Sequence, residues 1–240
     1  MNLSALTRIG SAGAAALALR CHPAHPLLAA SLGHAAAAGA AVALCSAAPL
    51  QRHCRGLFGK DWRSGRIGWL PWLALLPYHA GVVAAYWVYH LTSGEPRFSR
   101  IAEGLYLGCW PLPAGKLPSP AQNAALLDAT NELHNKVPGT AYHCVPSFET
   151  LAAPADEIQA AVFWALQQRR MGRAVLVYCT HGHGRSAAMA AAVLLAAGEA
   201  SDAGAALSSV KAARPGACPN WRQEEALHEW AARYGPASRD

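Results

Sequence analysis

The chain has 240 residues, a charged fraction of 14% and a formal net charge of +6. Soluble domains usually contain about 25% charged residues, so we expect one domain and an additional apolar region. Residues 1–95 contain seven Lys and Arg against two acids, whereas residues 96–240 contain thirteen against twelve. Because the basic excess lies in the apolar part, and no basic stripe carries interleaved aromatic residues, we expect membrane association and no nucleic-acid binding.

The cysteines are scattered along the chain. There are seven, with no CxxC pair, so a disulfide framework is not expected. Most are predicted to be small buried hydrophobic residues, and the second part of the chain is expected to face a reducing compartment.

Residues 1–95 are predicted to be a membrane or targeting region. The opening stretch MNLSALTRIGSAGAAALALR is typical of a transit peptide, a signal sequence or a short apolar helix. Residues 27–48 are long enough to cross a bilayer, although alanine is weakly apolar and His34 interrupts the run. A basic loop follows at 51–66.

Residues 67–92 are the strongest membrane candidate, because they contain no Asp, Glu, Lys or Arg and have aromatic residues near both ends. A buried core helix is the alternative, and Pro71, Pro77 and Gly81 also permit a re-entrant hairpin. The basic loop should stay on the cytoplasmic side. A single crossing would then place the C-terminal domain opposite, and a re-entrant segment or an organelle with its own insertion rules would remove this conflict.

The stretch TSGEP, residues 92–96, reads as a linker to a second domain at 96–240. FSRIAEGLYLGCWPLP predicts two edge strands around a turn at Glu103–Gly104, and AALLDAT and AYHCVP predict buried strands. Asp128, which ends the first of these, is expected to be structural.

Strands and helices then alternate. A helix is predicted from Pro154 to Gly172, with acids at its start and arginines at its end. RAVLVYC is a strand and SAAMAAAVLLAAG an apolar helix; Ser201 is predicted to cap a helix that ends at Ala213, and PNWRQEEALHEWAARYG is a last amphipathic helix. This order predicts an α/β domain whose central, mostly parallel sheet is covered by helices.

The stretch CTHGHGRS, residues 179–186, lies between the last predicted strand and the apolar helix. Free N–H groups and the helix dipole favour an anion at this point, and Gly182 and Gly184 let successive N–H groups converge. Arg185 adds a planar fork that matches two phosphate oxygens. The turn is therefore predicted to bind phosphate.

Cys179 stands at the mouth of this turn. The same dipoles and cation would stabilise its thiolate and make it a nucleophile, and Ser186 can donate a hydrogen bond to the sulfur. A zinc site built from Cys179, His181 and His183 is not expected, because their spacing is not that of zinc ligands. The residues thus indicate covalent phosphate transfer.

The stretch CTHGHGRS resembles the Cys-x5-Arg-Ser motif of the protein tyrosine phosphatase superfamily. IAEGLYLGCWP resembles the first strands of dual-specificity phosphatases, and CVPSFET their general-acid loop. A membrane-anchored subgroup of these phosphatases is resembled by two further stretches, GKDWRSGRIGWLPWLALLPYH and RPGACPNWRQEEALHEW. The resemblance implies a cysteine-based phosphatase fold, preceded here by apolar membrane helices.

The resemblance implies that Cys179 attacks phosphorus, Arg185 binds the phosphate, Ser186 assists the sulfur, and Glu149 is the general acid. The residues expected to bind phosphate are Thr180, His181, Gly182, His183, Gly184 and Arg185. Phosphotyrosine, phosphoserine and phosphothreonine of proteins are the implied substrates, and no metal or organic cofactor is expected.

Two positions depart from the family pattern. Tyr178 replaces the histidine that commonly precedes the nucleophile, so we expect Cys179 to be less fully ionised. Glu149 replaces the usual aspartate, and its longer arm changes the geometry of proton donation. Asp156 is the alternative acid, although it suits the start of a helix better.

Three other functions stay open from the sequence. A lipid phosphatase that acts on a phosphoinositide or phosphatidylglycerophosphate is favoured by the membrane segments, but the loop lacks the Lys or Arg that related lipid phosphatases often carry. A pseudophosphatase would bind phosphate without turnover. A Cys–His hydrolase is the third, and the arginine and glycines of the turn argue against it.

Overall fold

The computed structural model describes residues 3–21, 25–47, 50–111, 117, 123–137 and 140–235. Two compact units are present. One consists of Met1–Lys60 and Ile67–Thr92, and the other of Asp61–Arg66 and Ser93–Asp240. The short segment Asp61–Arg66 thus belongs to the second unit, where Asn135 donates from its side chain to the carbonyl of Ser64 at 3.1 Å and from its backbone to that of Gly65 at 2.8 Å.

The first unit is helical. Its helices are α1 (Leu3–Cys21), α2 (Pro26–Cys45), α3 (Gln51–Cys54), α4 (Trp69–Ala74) and α5 (Leu76–Thr92), with a 3-10 turn at Arg55–Phe58. Helix α2 packs against α1 and α5. In the described part of the chain, α2 is the one helix both long and apolar enough to cross a bilayer, a property that core helices and signal sequences share.

The segment 67–92, expected to be the strongest membrane candidate, is not one continuous helix. The break falls at Leu75, between α4 and α5. Pro77 explains it, because proline has no N–H and its ring collides with the carbonyl four residues earlier, which belongs to Leu73. The 17 residues of α5 extend about 25 Å, less than the ~30 Å hydrocarbon core.

The second unit contains a five-stranded mixed sheet in the order β1-β2-β5-β3-β4. The strands are β1 (Phe98–Ala102), β2 (Leu105–Cys109), β3 (Ala125–Asp128), β4 (Tyr142–Cys144) and β5 (Val175–Cys179). Strands β1 and β2 are antiparallel, and the other pairs are parallel. The sequence LYLGC was wrongly expected to be an edge strand. It lies inside the sheet and is buried throughout, which its lack of charged residues permits.

The second unit also has four helices: α6 (Ala155–Arg170), α7 (Arg185–Ala196), α8 (Ala203–Ala213) and α9 (Trp221–Tyr234). Helices α6, α7 and α8 pack against the strands, and α9 packs against these three helices. Alternate residues of β2 and β5 face them, and α7 is apolar almost all round because it is buried in the middle of the layer. The predicted α/β architecture with helices that cover a sheet is confirmed.

The cap of α8 differs from the prediction. Asp202, rather than Ser201, accepts a hydrogen bond from the backbone N–H of Ala205 at 2.8 Å. The hydroxyl of Ser201 donates to the Asp202 carboxylate at 2.9 Å. Asp202 lies three residues before Ala205, which is the spacing that an N-cap needs.

Candidate active site

The loop between β5 and α7 lies at the edge of the sheet where the parallel strands end. Cys179 is the last residue of β5, and Arg185 is the first of α7. Open α/β sheets bind ligands at this edge, and the free N–H groups at the start of α7 favour an anion there. The structure thus forms the predicted strand, turn and helix.

Two glycines shape this loop. Gly182 has a φ of +80°, and a Cβ on it would lie 2.6 Å from the carbonyl of Gly108 in β2. A Cβ on Gly184 would lie 2.6 Å from the side-chain oxygen of Gln223. At Gly182 the positive φ and the backbone of β2 leave no room for a side chain, whereas at Gly184 a side chain would have to displace the Gln223 amide.

Cys179 is buried, with 4% of its surface exposed. The hydroxyl of Ser186, in the first turn of α7, donates to its Sγ at 3.1 Å. The predicted contact between these two side chains is therefore present. A hydrogen bond to the thiolate stabilises it as a nucleophile and as a leaving group.

Arg185 is buried as well, and it forms a two-pronged ion pair with Glu132. Its Nη1 donates to Glu132 Oε2 at 3.0 Å and to the carbonyl of Ser147 at 2.7 Å. Its Nη2 donates to Glu132 Oε1 at 2.7 Å and to Thr180 Oγ1 at 3.0 Å. Both hydrogens of each terminal nitrogen are thus used, so a phosphate must take the Nε–H or replace one of these contacts.

The electrostatics of the pair favour the charged guanidinium. Burial on its own lowers the pKa of Arg185. The charge and hydrogen bonds of Glu132 outweigh burial and raise this pKa, and the charges of Cys179 and Glu149 add to the effect. Arg185 is therefore a permanent cation at the base of the loop.

Sequence reasoning missed Glu132. It follows β3, and β3 lies beside β5 in the sheet, so the two strands end at the same edge. A signal was available, because an acid soon after an apolar strand of a parallel sheet is expected at that edge. Only the strand order shows that this acid meets Arg185.

Glu149 lies in an exposed turn after β4, and this turn is separate in sequence from the loop between β5 and α7. Its backbone carbonyl accepts a hydrogen bond from the Gln223 side chain at 3.0 Å, and Gln223 also donates to the carbonyl of Leu151 at 3.4 Å. Asn220, the cap of α9, donates to the carbonyl of Thr150 at 3.3 Å. The start of α9 thus positions the Glu149 turn beside the loop between β5 and α7.

Asp156, the alternative acid, is exposed in the first turn of α6. A negative charge there stabilises the helix through its dipole. Of these two candidate acids, Glu149 is the one whose charge adds to that of Glu132 in raising the pKa of Arg185, while Asp156 has the position of a helix N-terminal charge.

The two histidines of the loop lie side by side. The rings of His181 and His183 stack with their centroids 5.9 Å apart. His183 Nε2 lies 2.7 Å from a carboxylate oxygen of Glu95. In the described residues no group of three or more His, Cys, Asp or Glu side chains is placed to hold a metal ion.

Tyr178 points to the other face of β5 from Cys179, and it is fully buried. Its hydroxyl donates to Asp128 Oδ2 at 2.8 Å, and Tyr142 donates to the same oxygen at 2.7 Å. The other carboxylate oxygen accepts from the N–H and hydroxyl of Thr130 at 2.9 and 2.7 Å. Asp128 therefore joins β3, β4 and β5 directly below the loop.

The sequence of the second unit matches a known family. A family model for the dual specificity phosphatase catalytic domain matches residues 105–233, more than half of the chain. The chain therefore belongs to the dual-specificity phosphatase family.

Several solved structures are similar. A substituted form of human DUSP28 is 25% identical, with a TM-score of 0.52 and alignment over 57% of this chain and 96% of that one. PTPMT1 is 21% identical, with a TM-score of 0.50 over 57% and 94% of the two chains. The human tyrosine phosphatase-like serine/threonine/tyrosine-interacting protein is 22% identical, with a TM-score of 0.51 over 58% and 99%. The last two show a shared fold. A search of curated proteins finds no significant match.

Proposed function

We propose that the chain is a cysteine-dependent phosphatase that hydrolyses phosphotyrosine and phosphoserine or phosphothreonine of proteins through a cysteinyl-phosphate. One observation carries this proposal. The sulfur of Cys179, at the end of β5, lies 3.1 Å from the hydroxyl of Ser186 in the first turn of α7. The cation Arg185 is the first residue of that helix. A nucleophile, a leaving-group stabiliser and a phosphate-binding fork are thus gathered in eight residues.

In the first step, the phosphate dianion binds to the loop N–H groups and to Arg185. The fork exchanges its bond to Thr180 for a phosphate oxygen and keeps its pairing with Glu132, so it stays oriented. The Cys179 sulfur, as the thiolate, then attacks phosphorus in line. The bond from phosphorus to the leaving oxygen breaks. The leaving oxygen keeps the electron pair of that bond and receives a proton from Glu149.

In the second step, water attacks the phosphorus of the cysteinyl-phosphate. The sulfur–phosphorus bond breaks, its electron pair returns to Cys179, and Glu149 accepts the proton of the water. The hydrogen bond from Ser186 stabilises the departing thiolate. Inorganic phosphate leaves, and the enzyme is restored.

The test is phosphate release by the full-length protein in detergent from phosphotyrosine and phosphoserine peptides, beside Cys179→Ser. We expect the native protein to release phosphate. The serine variant should lose turnover but still bind phosphate, because Arg185 and the loop N–H groups are unchanged. Near-native turnover by Cys179→Ser would remove Cys179 from the mechanism. Phosphate binding without turnover by the native protein would favour a pseudophosphatase.

A lipid phosphatase is the second candidate, because α2 is apolar and long enough to lie in a membrane. The phosphate loop argues against it, since its two large side chains between Cys179 and Arg185 are histidines rather than lysine or arginine. The same assay is repeated with vesicles that contain a phosphoinositide or phosphatidylglycerophosphate, and it decides between protein and lipid substrates. Faster release from lipid than from peptide would make lipid the substrate class.

We also propose that the protein is membrane-anchored through α2, in the membrane of an organelle, with its catalytic unit on a reducing side where Cys179 stays a thiol. Full-length protein is then expected to stay with membranes after washes with high salt and carbonate. Release by salt alone would contradict the anchor. It would indicate that the basic segment 51–66 binds the membrane surface electrostatically. Salt screens such attraction, whose range is already limited to about 8 Å at physiological ionic strength.

A further inference from the structure

We propose that Glu95 is a positioning residue of the phosphate loop. Its carboxylate contacts both His183 in the loop and Arg214, which holds the loop backbone. The inference rests on the proposed function. It extends the active site to a residue that lies before residue 105, where the family match begins.

Arg214 sets the direction of two peptide groups in the loop. Its Nε donates to the carbonyl of Gly182 at 3.0 Å, and its Nη2 donates to the carbonyl of His181 at 2.9 Å. In a trans peptide the N–H points opposite to the C=O. The N–H groups of Gly182 and His183 are therefore turned away from Arg214, so Arg214 fixes the direction of both peptide groups.

Arg214 needs a counter-charge, because it is 1% exposed and an unpaired buried cation is costly. Its Nη1 donates to neutral oxygens, the carbonyl of Pro96 at 2.8 Å and the hydroxyl of Ser99 at 3.2 Å. Glu95 Oε1 lies 3.2 Å from Nη2, the nitrogen that also holds the carbonyl of His181. Glu95 thus supplies negative charge to the group that orients the loop.

The second oxygen of Glu95 contacts the loop directly. Oε2 lies 2.7 Å from Nε2 of His183, whose backbone carbonyl accepts a hydrogen bond from the N–H of Cys218 at 2.9 Å. The chain closes tightly around this contact, because a Cβ on Gly216 would collide with Glu95 and lie 3.0 Å from His183 Nε2. His183 is therefore held through both its side chain and its backbone.

The segment that contains Glu95 was expected to be a linker. The structure instead places its carboxylate, 14% exposed, between two groups of the catalytic unit. A catalytic fragment that begins at residue 96 would lack this carboxylate. We therefore infer that the segment after α5 is part of the machinery that shapes the phosphate site.

The test uses the full-length protein and the variants Glu95→Gln and Glu95→Asp. Two quantities are measured: kcat/KM on a phosphotyrosine peptide, and the affinity for inorganic phosphate by calorimetry, which needs no turnover. Glu95→Gln should lower both in parallel by about 10- to 100-fold, because a small misplacement of a binding group has effects of that size. Glu95→Asp keeps the charge and should recover part of the loss.

The matched control is Glu199→Gln, which removes the carboxylate of an ion pair with Arg169 that lies in a different place. It should leave both quantities unchanged. In a His183→Ala background, Glu95→Gln should have a smaller effect than in the native background, because contacting residues are coupled.

A folded Glu95→Gln variant whose phosphate affinity stays within about twofold of native, the range of an ordinary surface change, would overturn the inference. An equal loss in Glu199→Gln would do so as well. If Glu95→Gln does not fold, Glu95→Asp decides by the same two quantities. If the native protein releases no phosphate from any substrate, the proposed function fails, while the phosphate-affinity comparison still tests the role of Glu95.

Discussion

The proposed phosphate loop, between β5 and α7, and the turn that carries Glu149 differ in how their side chains are held. Cys179 and Arg185 are buried and hydrogen-bonded through their side chains. The side chain of Glu149 is exposed, and its turn is held through backbone carbonyls by the start of α9. The side chains of Cys179 and Arg185 are thus preorganised, while the reach of Glu149, the proposed acid, depends on its own side chain.

The comparison predicts that Glu149→Gln affects the leaving group rather than phosphate binding. General acids contribute about 10²–10⁴-fold in rate, so we expect a loss of that size on a phosphoserine peptide and a much smaller one on an aryl phosphate with an acidic phenol. Phosphate affinity should not change. The alkaline limb of the pH–rate profile should flatten, because it reports loss of the proton from the acid.

An equal, small loss on both substrates, with an unchanged pH profile, would remove Glu149 from the mechanism. The matched variant is Asp156→Asn on the same two substrates. If Asp156→Asn shows the leaving-group dependence instead, the acid lies on α6 and the comparison fails.

Glu132→Gln tests the buried side of the comparison, because Glu132 pairs with Arg185. Each side chain of the Glu132–Arg185 pair is 3% exposed, and breaking a buried ion pair costs about 3–5 kcal/mol. We expect the free energy of unfolding in urea to fall by that amount and phosphate affinity to fall with it. Glu199→Gln breaks an exposed pair and should cost at most about 1 kcal/mol. Similar losses in both variants would contradict preorganisation by a buried pair.

Tyr178→Phe tests the support below the loop. It removes one hydrogen bond to the buried Asp128, so we expect a loss of about 1–3 kcal/mol in the free energy of unfolding. Phosphate release should be nearly native, because the hydroxyl faces away from Cys179. A large loss of turnover with native stability would mean that Tyr178 acts on the nucleophile itself.

The same tyrosine gives the smallest predicted effect, which appears at high pH. Burial, followed by the charge of Asp128, raises the pKa of Tyr178 well above its ordinary value. The unfolded chain loses this proton above about pH 10 while the folded chain keeps it, so stability falls as pH rises. Native protein should lose about 1.4 kcal/mol per pH unit more than Tyr178→Phe above that pH. Equal slopes would contradict the buried, neutral hydroxyl.

The strand, loop and helix around Cys179 could be predicted because their information is local. Cys179, the two glycines, Arg185 and Ser186 stand within eight residues, and their spacing alone predicts a turn before a helix N-terminus. The contact between Ser186 and Cys179 follows from that spacing, because both side chains lie at one end of α7.

The partners of the loop could not be predicted in the same way. Glu132 reaches Arg185 only because β3 lies beside β5, and Glu95 reaches His183 across 88 positions of the chain. No periodicity reports such distant contacts. The break at Leu75 was visible in the proline pattern, but apolar composition alone suggested one continuous segment.

The most direct measurement is to stop the reaction in acid within milliseconds and find the covalent phosphate by mass spectrometry. The full-length protein is mixed with an aryl phosphate, digested, and compared with Cys179→Ser and Glu149→Gln. We predict one phosphate on the sulfur of Cys179 in the native protein and in Glu149→Gln, and none on residue 179 in the serine variant. Turnover without phosphate on Cys179, or with phosphate on another residue, would contradict the account.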